Sequence, residues 1–284
     1  MPQIGEQLAR AVLVLMDREG LETFVDMACG RGELLERVHR LRPHLLCLGV
    51  DIVERPQLSE RIGWLQSPGG QRLPDELDGL TDTLVFANEW LDVVPCPIAE
   101  LDERGELREV LVKAATGQER LGDVVSGADR RWAERFWPVE GLEGGERVEI
   151  GKTRDLAWDD LVSRVGTGLA VAVDYGHTIS SRPSAGTLTG FRQGRQVRPI
   201  PDGSCDLTAH VAMDSLAHDE LTDQRTALRQ LGVSGRLPPI EQARENPMAY
   251  LRGVSSASAA AALTARGGLG DFLWAFKNCG RSGR

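Results

Sequence analysis

Residues 23–28, the Cys29-Gly-Arg-Gly32 turn that follows them, and the helical pattern at 33–41 constrain this chain more than anything else in it. The first is a short apolar run of the length of one buried strand. In the last, Leu34, Leu35, Val38 and Leu41 recur at helical spacing. Between them, Gly30 and Gly32 let the backbone turn sharply and pass close to a ligand. A second apolar run, 45–50, ends at Asp51. Strand, glycine turn, helix and strand make a βαβ unit, which belongs to a parallel sheet covered by helices.

The alternation continues. Leu8, Val12 and Leu15 mark a helix over 8–18; 62–65 and 84–87 read as further strands, the latter ending at Asn88-Glu89. Residues 98–101 and 107–112 flank Asp102-Glu-Arg-Gly105, the chemistry of a β-hairpin turn. A helix carrying Trp132, Phe136 and Trp137 follows, then a short strand at 147–150 and a helix at 153–165. A fifth strand, 169–173, ends at Asp174-Tyr-Gly176. The Gly/Pro/Arg-rich stretch 176–205 reads as an ordered functional loop or short strands. Helices are expected near 213–231 and 241–265, and a last strand at 272–276. There is no internal repeat. The expectation is an α/β fold in one domain spanning 1–284, with insertions at roughly 95–150 and 176–210.

Composition narrows the function classes. No apolar run nears the ~18 residues of a membrane span, and no basic-then-apolar leader opens the chain. The five cysteines are scattered, without metal-ligand spacing, which argues for a reducing compartment. A cytoplasmic protein without membrane or metal partners is expected. A formal charge of −9 speaks against nucleic acid, whose binding depends on phosphate neutralisation. Residues 182–201 hold four arginines and no acid, and a solvated loop is favoured there over an anion site.

Leu35 stands where a dinucleotide fingerprint would have its third glycine, which argues against a pyrophosphate and against a nicotinamide-dependent oxidoreductase. Asp26, just before the glycines, suits a cationic ligand. S-adenosylmethionine carries an ammonium and a sulfonium. Asp51 closes the next strand ~20 residues on, where a carboxylate can grip ribose hydroxyls. The cofactor set is thus Asp26, Ala28, Gly30, Gly32, Asp51 and Asn88. The Asn88-Glu89-Trp-Leu-Asp92 run follows the fourth strand at the same sheet edge, facing the reacting end of such a ligand. Asn88 could also cap a helix there, with the acids in its first turn.

Four stretches carry a resemblance: 26–34, Asn-Glu-Trp-Leu-Asp-Val-Val-Pro at 88–95, Val-Asp-Tyr-Gly at 173–176, and 186–211 with Gly-Thr-Leu-Thr-Gly-Phe-Arg and Asp-Leu-Thr-Ala-His-Val. In order and spacing the chain resembles the MidA-type S-adenosylmethionine-dependent methyltransferases. That family includes the mitochondrial complex I assembly factor that methylates a protein arginine. The resemblance implies a Rossmann-like seven-stranded class I methyltransferase sheet with an inserted hairpin and helices. It implies S-adenosylmethionine as cofactor, a protein substrate, and a transfer site lined by Asn88, Glu89 and Asp92. Arg192, Asp206 and His210 fall in the family's second signature, as substrate-binding residues. The chain departs from the family with Asp-Met-Ala-Cys-Gly in place of Glu-Leu-Gly-Pro-Gly, and with Gly194 in place of a histidine. It also begins near the first core helix, without the family's long Gly-, Tyr- and Phe-rich leading segment.

A guanidinium acceptor must lose a proton during attack, and a carboxylate pair can grip its planar fork and take that proton. Glu89 and Asp92, three apart, are expected on one face of a helical turn as that catalytic pair. His39, His44 and His177 read as exposed or loop residues; Ser181, Ser184 and Ser204 lack a nucleophile elbow; Trp132, Trp137 and Trp158 read as core. The rival from another class is a cofactor-binding assembly or interaction protein without turnover.

Overall fold

The structure is a computed structural model that describes residues 2–138 and 141–280. The chain runs through α1 (Pro2–Glu19), β1 (Thr23–Met27), α2 (Glu33–Leu41), β2 (Leu46–Asp51), β3 (Ile62–Gln66) and β4 (Thr83–Asn88). Next come β5 (Ile98–Leu101), β6 (Leu107–Lys113), β7 (Gln118–Val124), α3 (Gly127–Phe136), β8 (Arg147–Glu149), α4 (Lys152–Ser163) and β9 (Gly168–Asp174). Then follow β10 (Gly176–His177), β11 (Thr189–Arg192), β12 (Arg195–Val197), β13 (Asp206–Thr208), β14 (Val211–Ala212) and β15 (Glu220–Asp223). The chain closes with α5 (Gln224–Gln230), α6 (Glu241–Glu245), α7 (Pro247–Leu263) and β16 (Leu273–Cys279).

All seven residues of β9 and five of the six in β4 are buried, because helices cover both faces of the sheet these strands join. That sheet has seven strands in the order β15-β16-β9-β4-β1-β2-β3. The five from β3 to β9 are parallel; β16 runs antiparallel to β9, and β15 antiparallel to β16. The α/β class is the one read from the residues, and the seven strands are those that the family resemblance implies. On one face α1, α2, α5 and α7 pack over Phe24, Phe86 and Trp274. On the other, Ala157, Trp158 and Leu161 of α4 pack over Val25, Val85 and Ala172. Strand order reverses between β1 and β4, so a crevice opens above their carboxyl ends, where α/β sheets bind ligands.

Two inserts rise at that edge. The first forms a four-stranded sheet, β7-β6-β5-β8, with its own core of Leu107, Trp132, Trp137 and Val148. Trp132, Trp137 and Trp158 are all buried, as read from the sequence. The stretch after β9 forms short strands: β10 pairs with β14, and β12-β11-β13 make a small antiparallel sheet.

Three elements differ from expectation. Residues 213–231 are not one helix: Glu220–Asp223 add an edge strand to the main sheet, and Asp223 then caps α5 by accepting the Thr226 N–H at 2.6 Å. The expected helix at 241–265 is two, α6 and α7, split where Asn246 accepts the Ala249 N–H and Pro247 opens the next helix. Strand β7 escaped the pattern because it is almost wholly exposed and polar, and pairing with β6 alone makes it a strand. Among the described residues no helix is long and apolar enough to cross a membrane, and no His/Cys/Asp/Glu group is placed to hold a metal. The five cysteines are unpaired.

Candidate active site

The turn after β1 alternates into the left-handed region: Ala28 at φ 55°, Gly30 at 60° and Gly32 at 77°. Gly32 caps α2 and lies against Leu58, whose Cδ1 would stand 3.2 Å from a Cβ. Gly30 is different. A Cβ there would meet nothing nearer than Glu33 Oε2 at 3.9 Å, so positive φ demands glycine and the space beside it is open. Its N–H donates to Asp51 Oδ2 at 2.7 Å, and Val53 N–H donates to Oδ1 at 3.2 Å. Asp51 thereby pins the turn while each oxygen keeps a further lone pair. Beside it lies a cavity of about 340 Å³, lined by Ala28, Asp51, Ile52, Gly69, Glu89 and Trp90 among others.

Opposite Ala28, Glu89 leaves β4 at φ 52°. A left-handed non-glycine residue costs about 1–3 kcal/mol and persists only where its surroundings hold it. Two such residues at the ends of neighbouring strands, both lining the crevice, mark a functional edge. The hold on Glu89 is visible. Its N–H donates to Val173 O at 2.9 Å, and buried Asp174 accepts the Leu91 and Asp92 N–H groups, each at 3.1 Å. Buried Arg154 donates to three carbonyls: Asp92 at 2.9 Å, Val94 at 3.0 Å and His210 at 2.7 Å. It ties the β4 turn to the second insert. Glu149, also buried, accepts the N–H of Thr187 and Leu188 and the Thr187 hydroxyl, so Gly-Thr-Leu188 wraps a carboxylate of the first insert.

A second cavity, about 540 Å³, lies across Glu89 from the first and is lined by Tyr175, Thr187, Phe191, Gln196, Thr208 and His210 among others. Glu89 borders both. Burial, then the charge of Asp92, pushes its carboxyl above the usual glutamate range, while Asn88 opposes this by donating at 3.2 Å. Tyr175 and His210 meet edge to face with centroids 5.4 Å apart, and desolvation lowers the imidazole of His210 from its usual range. Tyr175 donates its hydroxyl hydrogen to Asp92 Oδ2, so its oxygen turns only lone pairs to the cavity.

Of the cofactor candidates, Ala28 and Asp51 line the first cavity, Gly30 is bonded to Asp51, and Asn88 to Glu89. Asp26 lies beneath, 3% exposed. Glu89 and His210 come together in the second cavity. Arg192 and Asp206 do not join them; both are exposed on the small antiparallel sheet. Glu89 and Asp92 do not share one face of a helical turn, contrary to expectation. The left-handed residue breaks the helical phase, a short 3-10 turn at Leu91–Val93 follows, and Asp92 turns inward to Tyr175. The arginine-rich stretch divides in two. Arg182 and Arg198 are engaged with Asp214 and Gly117 O, while Arg192 and Arg195 pair across an exposed hairpin. No local signal marks Arg154, Glu149 and Tyr175 in the sequence, because their partners lie far along the chain.

Burial, with the charges of Asp51 and Glu33 behind it, pushes the Asp26 carboxyl up to about 8. The folded state therefore holds a proton that an unfolded aspartate releases near pH 4. Stability from this group is full below pH ~4 and is lost as pH rises toward ~8, because the unfolded state then binds fewer protons. Asp26→Asn should remove that loss. Melting temperatures across this window are expected to show the variant gaining on the wild type as pH rises, and parallel curves would refute the placement. A cation brought near reverses the penalty by favouring the ionised carboxylate.

A family model described as S-adenosyl-L-methionine-dependent methyltransferase matches residues 19–231. Two crystal structures of one superfamily from Burkholderia thailandensis are similar in fold. One, bound to S-adenosyl-homocysteine, has a TM-score of 0.70 at 21% identity, over 100% of this chain and 78% of that one. The other, a native form, has a TM-score of 0.69 at 22% identity, over 99% and 80%. No curated protein matches the chain.

Proposed function

The chain belongs to the family of S-adenosyl-L-methionine-dependent methyltransferases, and from that premise we propose that it methylates a side chain of a polypeptide, the acceptor being an arginine guanidinium. The observation that carries this is Glu89, among the described residues the one carboxylate bordering both cavities, held at the point where the strand order reverses.

The residues of the first cavity fit the cofactor. Open space at Gly30, lone pairs on Asp51 and an acid at Asp26 suit an adenosyl ligand that carries positive charge. Bound, S-adenosylmethionine supplies an electrophilic methyl carbon, and the protein's part is to position the nucleophile and handle its proton. Glu89 offers a carboxylate to the guanidinium fork and, with its raised pKa, a place for the proton released. Tyr175 oxygen accepts a second N–H, and the rings of Tyr175, Phe191 and His210 give a cation an aromatic wall. Arg154 and Asp174 hold the turn that aims Glu89.

The resemblance to MidA-type enzymes supports the arginine, and the unpaired cysteines and net charge of −9 support a cytoplasmic protein that does not bind nucleic acid. Tritiated S-adenosylmethionine incubated with the protein and a lysate should label a protein band that yields methylarginine on hydrolysis. Cofactor binding with label in no protein would favour an assembly role instead.

A further inference from the structure

A third cavity, about 380 Å³, opens between the two inserts and is bordered by Asp92. It shares Val93 with the cofactor cavity and Thr208 with the acceptor cavity, so it adjoins both. Its walls are unlike theirs. Pro95, Pro97, Pro199 and Pro201 line it, and proline has a fixed φ and no N–H to donate. Ile98, Val110 and Leu207 add apolar surface. Val93, Leu111 and Val112 remain 46%, 37% and 39% exposed there. Such walls are rigid before anything binds and offer few donors to a polar guest. Asp92 borders the cavity but is 3% exposed and turns its carboxyl to the Tyr175 hydroxyl, so it offers a guest no accessible charge. The charged residues at the border are already engaged, Glu119 with Arg147 and Arg154 with its three carbonyls.

We propose that this proline-walled cavity receives an apolar side chain of the polypeptide substrate, one close in sequence to the methylated residue. The two inserts then select substrate, and the central sheet holds the cofactor. The proposal rests on the reading of a polypeptide acceptor given above. It assigns to this chain a sequence preference: an aliphatic residue beside the arginine.

The test uses the full chain, tritiated S-adenosylmethionine, and short synthetic peptides with a central arginine in a glycine–serine background. One flanking position at a time carries leucine, serine or aspartate, and parallel sets carry lysine or glutamine at the centre. Leucine at one flanking position is expected to raise kcat/KM at least about tenfold over serine, with aspartate the poorest. Val112→Trp, which fills the cavity, and Val112→Ser, which removes apolar surface with little steric demand, should both shrink that ratio. Calorimetry with S-adenosylhomocysteine checks that each variant retains its fold. Equal rates for leucine and serine flanks at every position would overturn this assignment while leaving the methyltransferase reading intact. Label in none of the peptides would overturn the polypeptide reading, and this pocket with it.

Discussion

Replacing Glu89 with glutamine is expected to lower kcat by about 10²–10⁴-fold, the range typical of a lost proton acceptor. Affinity for S-adenosylhomocysteine should change little. The substitution keeps the shape of the side chain and, with it, the Asn88 contact and the left-handed backbone between β4 and the turn. What it removes is the negative charge between the two cavities. The pH profile separates this role from a structural one. Burial and Asp92 raise the Glu89 carboxyl above its ordinary value of 4.5, so the wild-type rate should fall as acid protonates it, with an inflection above that value. In Glu89→Gln that acid limb should vanish. Full turnover by the variant, or an unchanged acid limb, would move the proton acceptor elsewhere, and His210 across the same cavity, its imidazole pKa lowered, would be the next candidate.

The difference between what the sequence disclosed and what it hid follows from how far each signal reaches along the chain. The β1–α2–β2 unit is legible because its cues are local: an apolar run, two glycines at a turn, a helical stripe, and a second apolar run that ends on Asp51. Edge strands β7 and β15 are not, since their residues are polar and become strands only by pairing with β6 and β16. The site divides the same way. Asp51 and Glu89 stand at strand ends and can be read from the pattern. The inward turn of Asp92 cannot, because no glycine warns of the left-handed backbone at Glu89 that shifts its phase. Arg154 sits in an ordinary helix, and only its three distant carbonyls reveal it as the tie between β4 and the second insert. The Asp174-Tyr175 pair lies in a stretch that carried the family resemblance. Its work, pinning the turn and orienting Asp92, is visible only in three dimensions.

Asp51→Ala should cost more in cofactor affinity than any other single change at the first cavity, because two contributions disappear together. The carboxylate is 8% exposed and accepts the Gly30 N–H at 2.7 Å and the Val53 N–H at 3.2 Å. Hydrogen bonds to a charged group contribute about 1.5–3 kcal/mol each. Their loss frees a backbone whose left-handed run at Ala28, Gly30 and Gly32 leaves open space for the ligand. The same carboxylate, at the end of β2, stands where it would accept from ribose hydroxyls under the proposed function. A combined loss of about 3–4 kcal/mol corresponds to a Kd raised about 10²–10³-fold, which calorimetry with S-adenosylhomocysteine can measure. Asp51→Asn keeps one oxygen able to accept from Gly30 and should fall in between. The charge of Asp51 is also one of the causes that raise Asp26, so either substitution should bring the Asp26 carboxyl back toward its ordinary range and flatten the stability loss with rising pH. Wild-type affinity in Asp51→Ala would mean that the adenosyl ligand does not lie along the carboxyl end of β2. A loss of affinity without the change in pH dependence would leave the ligand in place and break the electrostatic link between the two acids.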